Sequence, residues 1–153
     1  MTRPIYESRV DRDRQREAIA HLERMTASTA VETPRLVAWD FEMVRDGRTV
    51  AIVEVKCRTN PMLKYPTYMV SATKAAAIRD EAASRRIAGV LLVRWSDAIG
   101  WVRLDRLVDW KVSSGGRTDR ADPLDIEPVL HVEIPLFRAS WVYESPRPEP
   151  GAG

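Results

Sequence analysis

Apolar and polar positions alternate most sharply between residues 35 and 58, where RLVAWDFEMVRDGRTVAIVEVKCR spells two strands around a turn. Trp39, Phe41 and Met43 alternate with Asp40 and Glu42; beyond Asp46-Gly47, Ala51, Val53 and Val55 alternate with Ile52, Glu54 and Lys56. Successive side chains on a strand point to opposite faces, so the hairpin has one apolar face and one that ends in Asp40, Glu54 and Lys56. Register decides whether those three meet. A two-residue turn at Asp46-Gly47 sets Asp40 opposite Val53 and mixes charge into the apolar set. An odd loop, a type I turn closed by Gly47 in the left-handed conformation as a bulge, puts Asp40 on the face of Ile52 and Glu54. It gathers Trp39, Phe41, Ala51, Val53 and Val55 on the other face. The apolar pattern thus predicts the register that brings two carboxylates and an amine together.

The rest of the chain supplies helices and further strands. Residues 11–27 predict a helix whose stripe is Ala18, Ile19, Leu22 and Met25, with Glu17 one position from it. Ser28 to Pro34 is a connection with room for a short strand at residues 30–32. From Cys57 to Val70 the chain reads as loop, broken by Asn60-Pro61 and Tyr65-Pro66. Ser71 suits the N-cap of a second helix that buries Ala75, Ile78 and Ala82 and stops near Ala88-Gly89. Val90 to Trp95 is an apolar run fit for a central strand, and Gly100 to Leu104 is its partner. Leu107 to Val112 is ambiguous, and residues 113–128 read as a long mobile loop or a lid. Residues 129–134 alternate as a strand, 136–143 have room for another, and 146–153 form a Pro/Gly tail expected to be disordered. The expected fold is α/β: a mixed, mainly antiparallel sheet flanked by two helices, in one domain spanning residues 1–145.

Composition narrows the chemistry. At 153 residues, 44% hydrophobic and 30% charged, the chain is long enough for one real core and reads as a globular domain. No apolar run approaches a membrane span, and the charged start MTRPIYESRVDRDR predicts no signal peptide, so a cytoplasmic location is expected. One cysteine and two histidines are too few for a disulfide or a Cys/His metal cluster. Net charge is only +2, so composition alone does not announce a nucleic-acid binder. Arg12, Arg14, Arg16, Arg79, Arg85, Arg86 and Arg94 are nonetheless candidates to line a path for phosphates.

Two carboxylates converging on one strand pair repel unless a cation joins them, and oxygen ligands suit Mg²⁺ or Mn²⁺. Mg²⁺ typically takes one or two protein carboxylates plus water and phosphate oxygens, so a site this sparse points to phosphoryl chemistry. Lys56 on the same face is placed to hold an attacking water and offset charge building on phosphorus. Lys74, in the first turn of the second helix, stands where the helix dipole disfavours a cation, which invites a functional reason. Arg58, Lys64, Tyr65 and Tyr68 combine charge and aromatic rings as a substrate-facing loop does.

Asp40, a turn, then Glu54-Val55-Lys56 at the end of an apolar strand resemble the PD-(D/E)xK nuclease superfamily, over residues 12–104; Trp39 replaces the proline of the name-giving motif. The resemblance implies a restriction-endonuclease-like core in the order helix, hairpin, helix, strand, with a C-terminal strand addition. It also implies a Mg²⁺- or Mn²⁺-dependent nuclease cutting DNA, with RNA left open. In such a site Asp40, Glu54 and the Val55 carbonyl hold the metal and Lys56 orients the water. Glu17 from the first helix and Lys74 from the second are auxiliary. Small stand-alone members look like phage or prophage nucleases, and cutting duplex with two subunits leaves a homodimer open, with the 129–143 stretch as its edge. Two alternatives compete with this reading: the charges are the solvated face of an ordinary hairpin, or the fold serves only to bind nucleic acid or to assemble.

Overall fold

The computed structural model describes residues 9–34, 36–114 and 127–142. Helix α1 (Arg9–Thr26) leads into strand β1 (Thr29–Glu32), then the hairpin β2 (Phe41–Arg45) and β3 (Arg48–Cys57). Strand β4 (Thr67–Ser71) and helix α2 (Ala72–Arg85) follow. Strands β5 (Ala88–Arg94), β6 (Ala98–Arg103), β7 (Lys111–Ser114), β8 (Pro128–Glu133) and β9 (Arg138–Trp141) complete the described order. Six strands form one sheet in the order β1-β2-β3-β5-β6-β9, parallel only between β3 and β5. A smaller sheet runs β4-β8-β7, antiparallel throughout.

Period-two alternation on β3 and β5 divides the core. Ala51, Val53, Val55, Leu92 and Ile99 pack with Ala18, Ile19 and Leu22 of α1 on one face. Ile52, Leu91 and Val93 pack on the other face with Ala75, Ile78 and Ala82 of α2, and with Tyr68, Val70, Leu130 and Val132 of the smaller sheet. Met25, assigned to the α1 stripe, is exposed instead, one turn past the last buried residue, Leu22. Glu54 and Lys56 continue the Ile52 face, which is why a carboxylate enters the α2 side of the core.

The hairpin reaches the expected register by another route. Arg45 pairs with Arg48, so the turn has the two residues Asp46 and Gly47, with φ of 51° and 74°. Two positive φ values are the signature of a type I′ turn, whose twist matches the strands. The extra residue sits further in: Met43 pairs with Ala51 but Val44 pairs with Thr49, leaving Val50 as a bulge. The bulge restores Phe41 opposite Val53 and so sets Asp40 across from Glu54.

Several boundaries differ from the sequence reading. β2 begins only at Phe41, after bends over residues 37–40, and Trp39 packs with the α2-side cluster and not with Val53 and Val55. The 57–70 stretch is not all loop, since β4 forms there and pairs with β8 through Tyr68↔Val132 and Val70↔Leu130. Helix α2 ends at Arg85, capped by Arg86 in the left-handed conformation, three residues before the expected stop. Gly89 serves β5 instead, because a Cβ there would meet Ala82 Cβ and Ile78 Cγ2 at 3.0 Å. Strand β8 lies between β4 and β7 and offers no free edge; β9 takes the outer place beside β6 and is the C-terminal strand added to the main sheet. Residues 115–126 of the expected loop and the 146–153 tail lie outside the described residues. No helix among the described residues is long and apolar enough to cross a membrane.

Candidate active site

Asp40 is fixed by the edge of β3. Its backbone N–H donates to the Val53 carbonyl at 2.9 Å, its carbonyl accepts from Thr33 N–H at 3.0 Å, and Oδ2 accepts from Val55 N–H at 2.8 Å. These bonds hold the carboxylate over the same strand that carries Glu54. Burial pushes the Asp40 carboxyl above its ordinary value; the Val55 N–H opposes this, the Glu54 charge adds to it, and Lys56 and Lys74 oppose it.

Glu54 is only 1% exposed. A buried carboxylate persists only with paired charge or full hydrogen bonding. Two amines supply the charge: Lys56 Nζ stands 3.0 Å and Lys74 Nζ 3.3 Å from the same oxygen, Oε1. Lys56 comes from the next inward position on β3. Lys74 comes from the first turn of α2, where Ser71 Oγ caps its backbone N–H at 3.3 Å. The helix N-terminus that should repel a lysine therefore tolerates one, because Glu54 lies in front of it. The other oxygen, Oε2, is buried and has no hydrogen-bond partner among the described residues.

An unpartnered carboxylate oxygen beside a second carboxylate of raised pKa is the donor set expected to accept a cation. Among the described residues no group of three or more His, Cys, Asp or Glu side chains is placed to hold a metal. The pair Asp40 and Glu54 therefore fits an oxygen-loving ion that fills its shell with water and substrate oxygens, and does not fit an all-protein cage. With both lysines charged, the four side chains are formally neutral. A bound dication would make the site net positive, which suits an incoming phosphodiester.

The remaining predicted residues divide into three groups. Glu17 is taken up elsewhere: Oε2 and Oε1 accept from Arg94 Nε at 3.2 Å and Nη2 at 3.5 Å. Arg94 itself is buried, also donates to the Trp95 carbonyl, and so cannot line a phosphate path. Arg79 stacks on Trp110 at 4.4 Å and Arg85 pairs with Glu42 at 2.7 Å, which removes two more arginines from that path. Arg58, by contrast, sits at the end of β3 with its guanidinium 4.9 Å from the Tyr68 ring centroid, and Lys64 lies 5.5 Å from that of Tyr65. Tyr68 is a core residue, 5% exposed, in edge contact with Trp95 and Phe137. Its hydroxyl is buried without a partner among the described residues, and burial pushes its pKa up to about 12.

Sequence reading missed Asn60, which lines a cleft with Arg58, Tyr65 and Tyr68. Its signal was read only as the Asn-Pro break. A larger cleft of about 530 Å³ opens between β6 and the β7–β8 pair, but Arg103, Lys111 and Arg138 in its lining are engaged by Asp105, Glu133 and the Trp101 ring, and none of the Glu54 cluster lines it.

Set beside known proteins, residues 1–140 match the model of a family described as "phage putative PDDEXK endonuclease". No curated protein matches the chain.

Proposed function

The chain belongs to this family of phage PD-(D/E)xK endonucleases, and on that premise we propose that it is a divalent-metal-dependent nuclease that hydrolyses phosphodiester bonds in DNA. The observation that carries the reading is Glu54: a fully buried carboxylate opposite Asp40, with two amines on one oxygen and none on the other. A surface hairpin has no reason to bury that charge.

Asp40, Glu54 and the Val55 carbonyl are the groups that would hold Mg²⁺ or Mn²⁺. When bound, the ion supplies Lewis-acid polarisation of the phosphate and lowers the pKa of water. The chain's own residues do the rest. Val55 N–H and the Val53 carbonyl fix Asp40 so that its carboxylate need not reorganise during reaction. Lys56, partly exposed above Glu54, orients the attacking water and stabilises the extra negative charge on phosphorus. Lys74 holds Glu54 Oε1 from the other side and keeps the carboxylate in place when Lys56 turns toward substrate. Arg58, Lys64 and Tyr65 flank the approach as substrate contacts, with Tyr68 as the ring beneath Arg58. Glu17 acts at one remove, by locking Arg94 and the end of β5 to α1.

The direct test is nicking of supercoiled plasmid by the purified protein with Mg²⁺ or Mn²⁺, against the same reaction in EDTA. The reading expects metal-dependent nicking that Asp40→Ala abolishes. Retention of nicking in Asp40→Ala, or its absence in the wild type with both metals, contradicts it.

A further inference from the structure

The chain between β3 and α2 forms a cleft of about 240 Å³, smaller than the roughly 300–1,000 Å³ of a drug-sized pocket. It lies just past the end of β3 that carries Glu54 and Lys56: none of the cluster's side chains lines it, but Arg58 in its lining stands two residues beyond Lys56 along the chain.

Its lining is unlike a phosphate groove. Met62, Trp95 and the ring of Tyr68 are buried, while Tyr65 is 55% exposed, with the Lys64 amine 5.5 Å from its ring centroid. The Arg58 guanidinium stands over the Tyr68 ring, 4.9 Å from its centroid, a planar cation already supported from one side. Asn60 adds an amide whose orientation is set by its Nδ2 bond to the Pro61 carbonyl at 3.0 Å. An aromatic face, a stacked guanidinium and a fixed amide are the groups that hold a nucleobase by its plane and its edge. The buried Tyr68 hydroxyl, without a partner among the described residues, is an independent sign that the wall is incomplete in the free protein.

Size then selects the substrate. A cleft this small takes one ring system and excludes a base pair, and a base can enter only if it has left the stack. We propose that the substrate is DNA carrying an unpaired nucleotide beside the scissile phosphate, as in a single strand, flap or gap, with that base seated among Arg58, Asn60 and Tyr65. The proposal rests on the nuclease reading above and specifies the form of DNA that the site accepts.

Cleavage of three matched oligonucleotides tests it: a single strand, a blunt duplex and a duplex with a short flap. The expected kcat/KM is at least tenfold higher for the two substrates with unpaired bases, and Tyr65→Ala brings the ratio down toward one. A second readout uses the Lys56→Ala variant and DNA with 2-aminopurine at the unpaired position. A saturable fluorescence change is expected there and not in the blunt duplex. Equal cleavage of all three substrates overturns the inference and leaves the nuclease intact. If nothing is cleaved with Mg²⁺ or Mn²⁺, the nuclease reading falls, and the fluorescence titration decides the cleft alone: a saturable change supports it and no change overturns it.

Discussion

Tyr68 illustrates how a single residue can be misjudged from its neighbours in sequence. Between Lys64 and Ser71, two residues after Pro66, a tyrosine looks like a loop residue facing substrate; pairing of β4 with β8 turns it inward to meet Trp95 and Phe137. Its burial yields a prediction. The folded pKa of about 12 exceeds the ordinary value of 10, so between those limits the folded state holds a proton that the unfolded state has lost. Stability from this group is complete below pH 10 and falls as pH rises through the window, by up to about 1.4 kcal/mol per pH unit. Tyr68→Phe removes that slope and, because the hydroxyl has no partner among the described residues, changes stability at pH 7 by no more than about 1 kcal/mol. Urea denaturation at pH 7, 10 and 11 checks both; equal alkaline slopes in variant and wild type contradict the assignment. Glu54 and Lys74 were more legible, one as a charge inside an apolar strand, the other as a cation at the wrong end of a helix. Glu17 was not, because its partner Arg94 lies 77 residues away and helical spacing says nothing about it.

At the scale of elements, local rules carried most of the fold. Alternation placed β3 and β5, Ser71 placed the start of α2, and the face of Ile52 and Glu54 followed from period two alone. The hairpin shows the limit of such rules. The register followed from which side chains had to be buried, whereas its device did not, since a Gly47 bulge and a Val50 bulge give Asp40 the same partner. In the smaller sheet only β8 was legible, by its alternation: β4 and β7 are brief, and the β4–β8 pairing joins segments about 60 residues apart. Close packing of α2 on β5 supplies a test at this scale. Gly89→Ala forces a Cβ against Ala82 and Ile78 at 3.0 Å and against the Ile78 carbonyl at 3.1 Å. Overpacking of this kind costs about 1–3 kcal/mol, read as a lowered denaturation midpoint. In a strand without that contact alanine is normally the better residue, so a stabilised variant contradicts the close approach.

For the whole molecule, the sheet sets α1 on one face and α2 with the smaller sheet on the other, so Glu54 and Lys56 of β3, Lys74 of α2 and Asp40 of the bends before β2 meet at one end of β3. Metal binding to that junction should stabilise the entire fold, because the carboxylates converge only when it is formed. An ion at ten times its dissociation constant adds about 1.4 kcal/mol, and for a chain of this size each kcal/mol raises the melting temperature by about 2–4 °C. A thermal melt with millimolar Mn²⁺ should show that rise in the wild type and lose it in Asp40→Ala; a variant that keeps the rise places the ion elsewhere. The catalytic claim rests on Lys56. A preorganised charge that acts on the transition state is worth about 10²–10³ in rate, and its loss should leave ground-state affinity nearly unchanged. The deciding measurement is the single-turnover cleavage rate of Lys56→Ala at saturating Mg²⁺, with DNA affinity measured alongside. The structure predicts a rate lower by about two orders of magnitude or more, unchanged affinity, and no rescue by Lys56→Arg, whose planar guanidinium cannot replace a compact ammonium. Cleavage by Lys56→Ala at the wild-type rate would contradict the account and leave the Glu54-Val55-Lys56 strand end without a catalytic role.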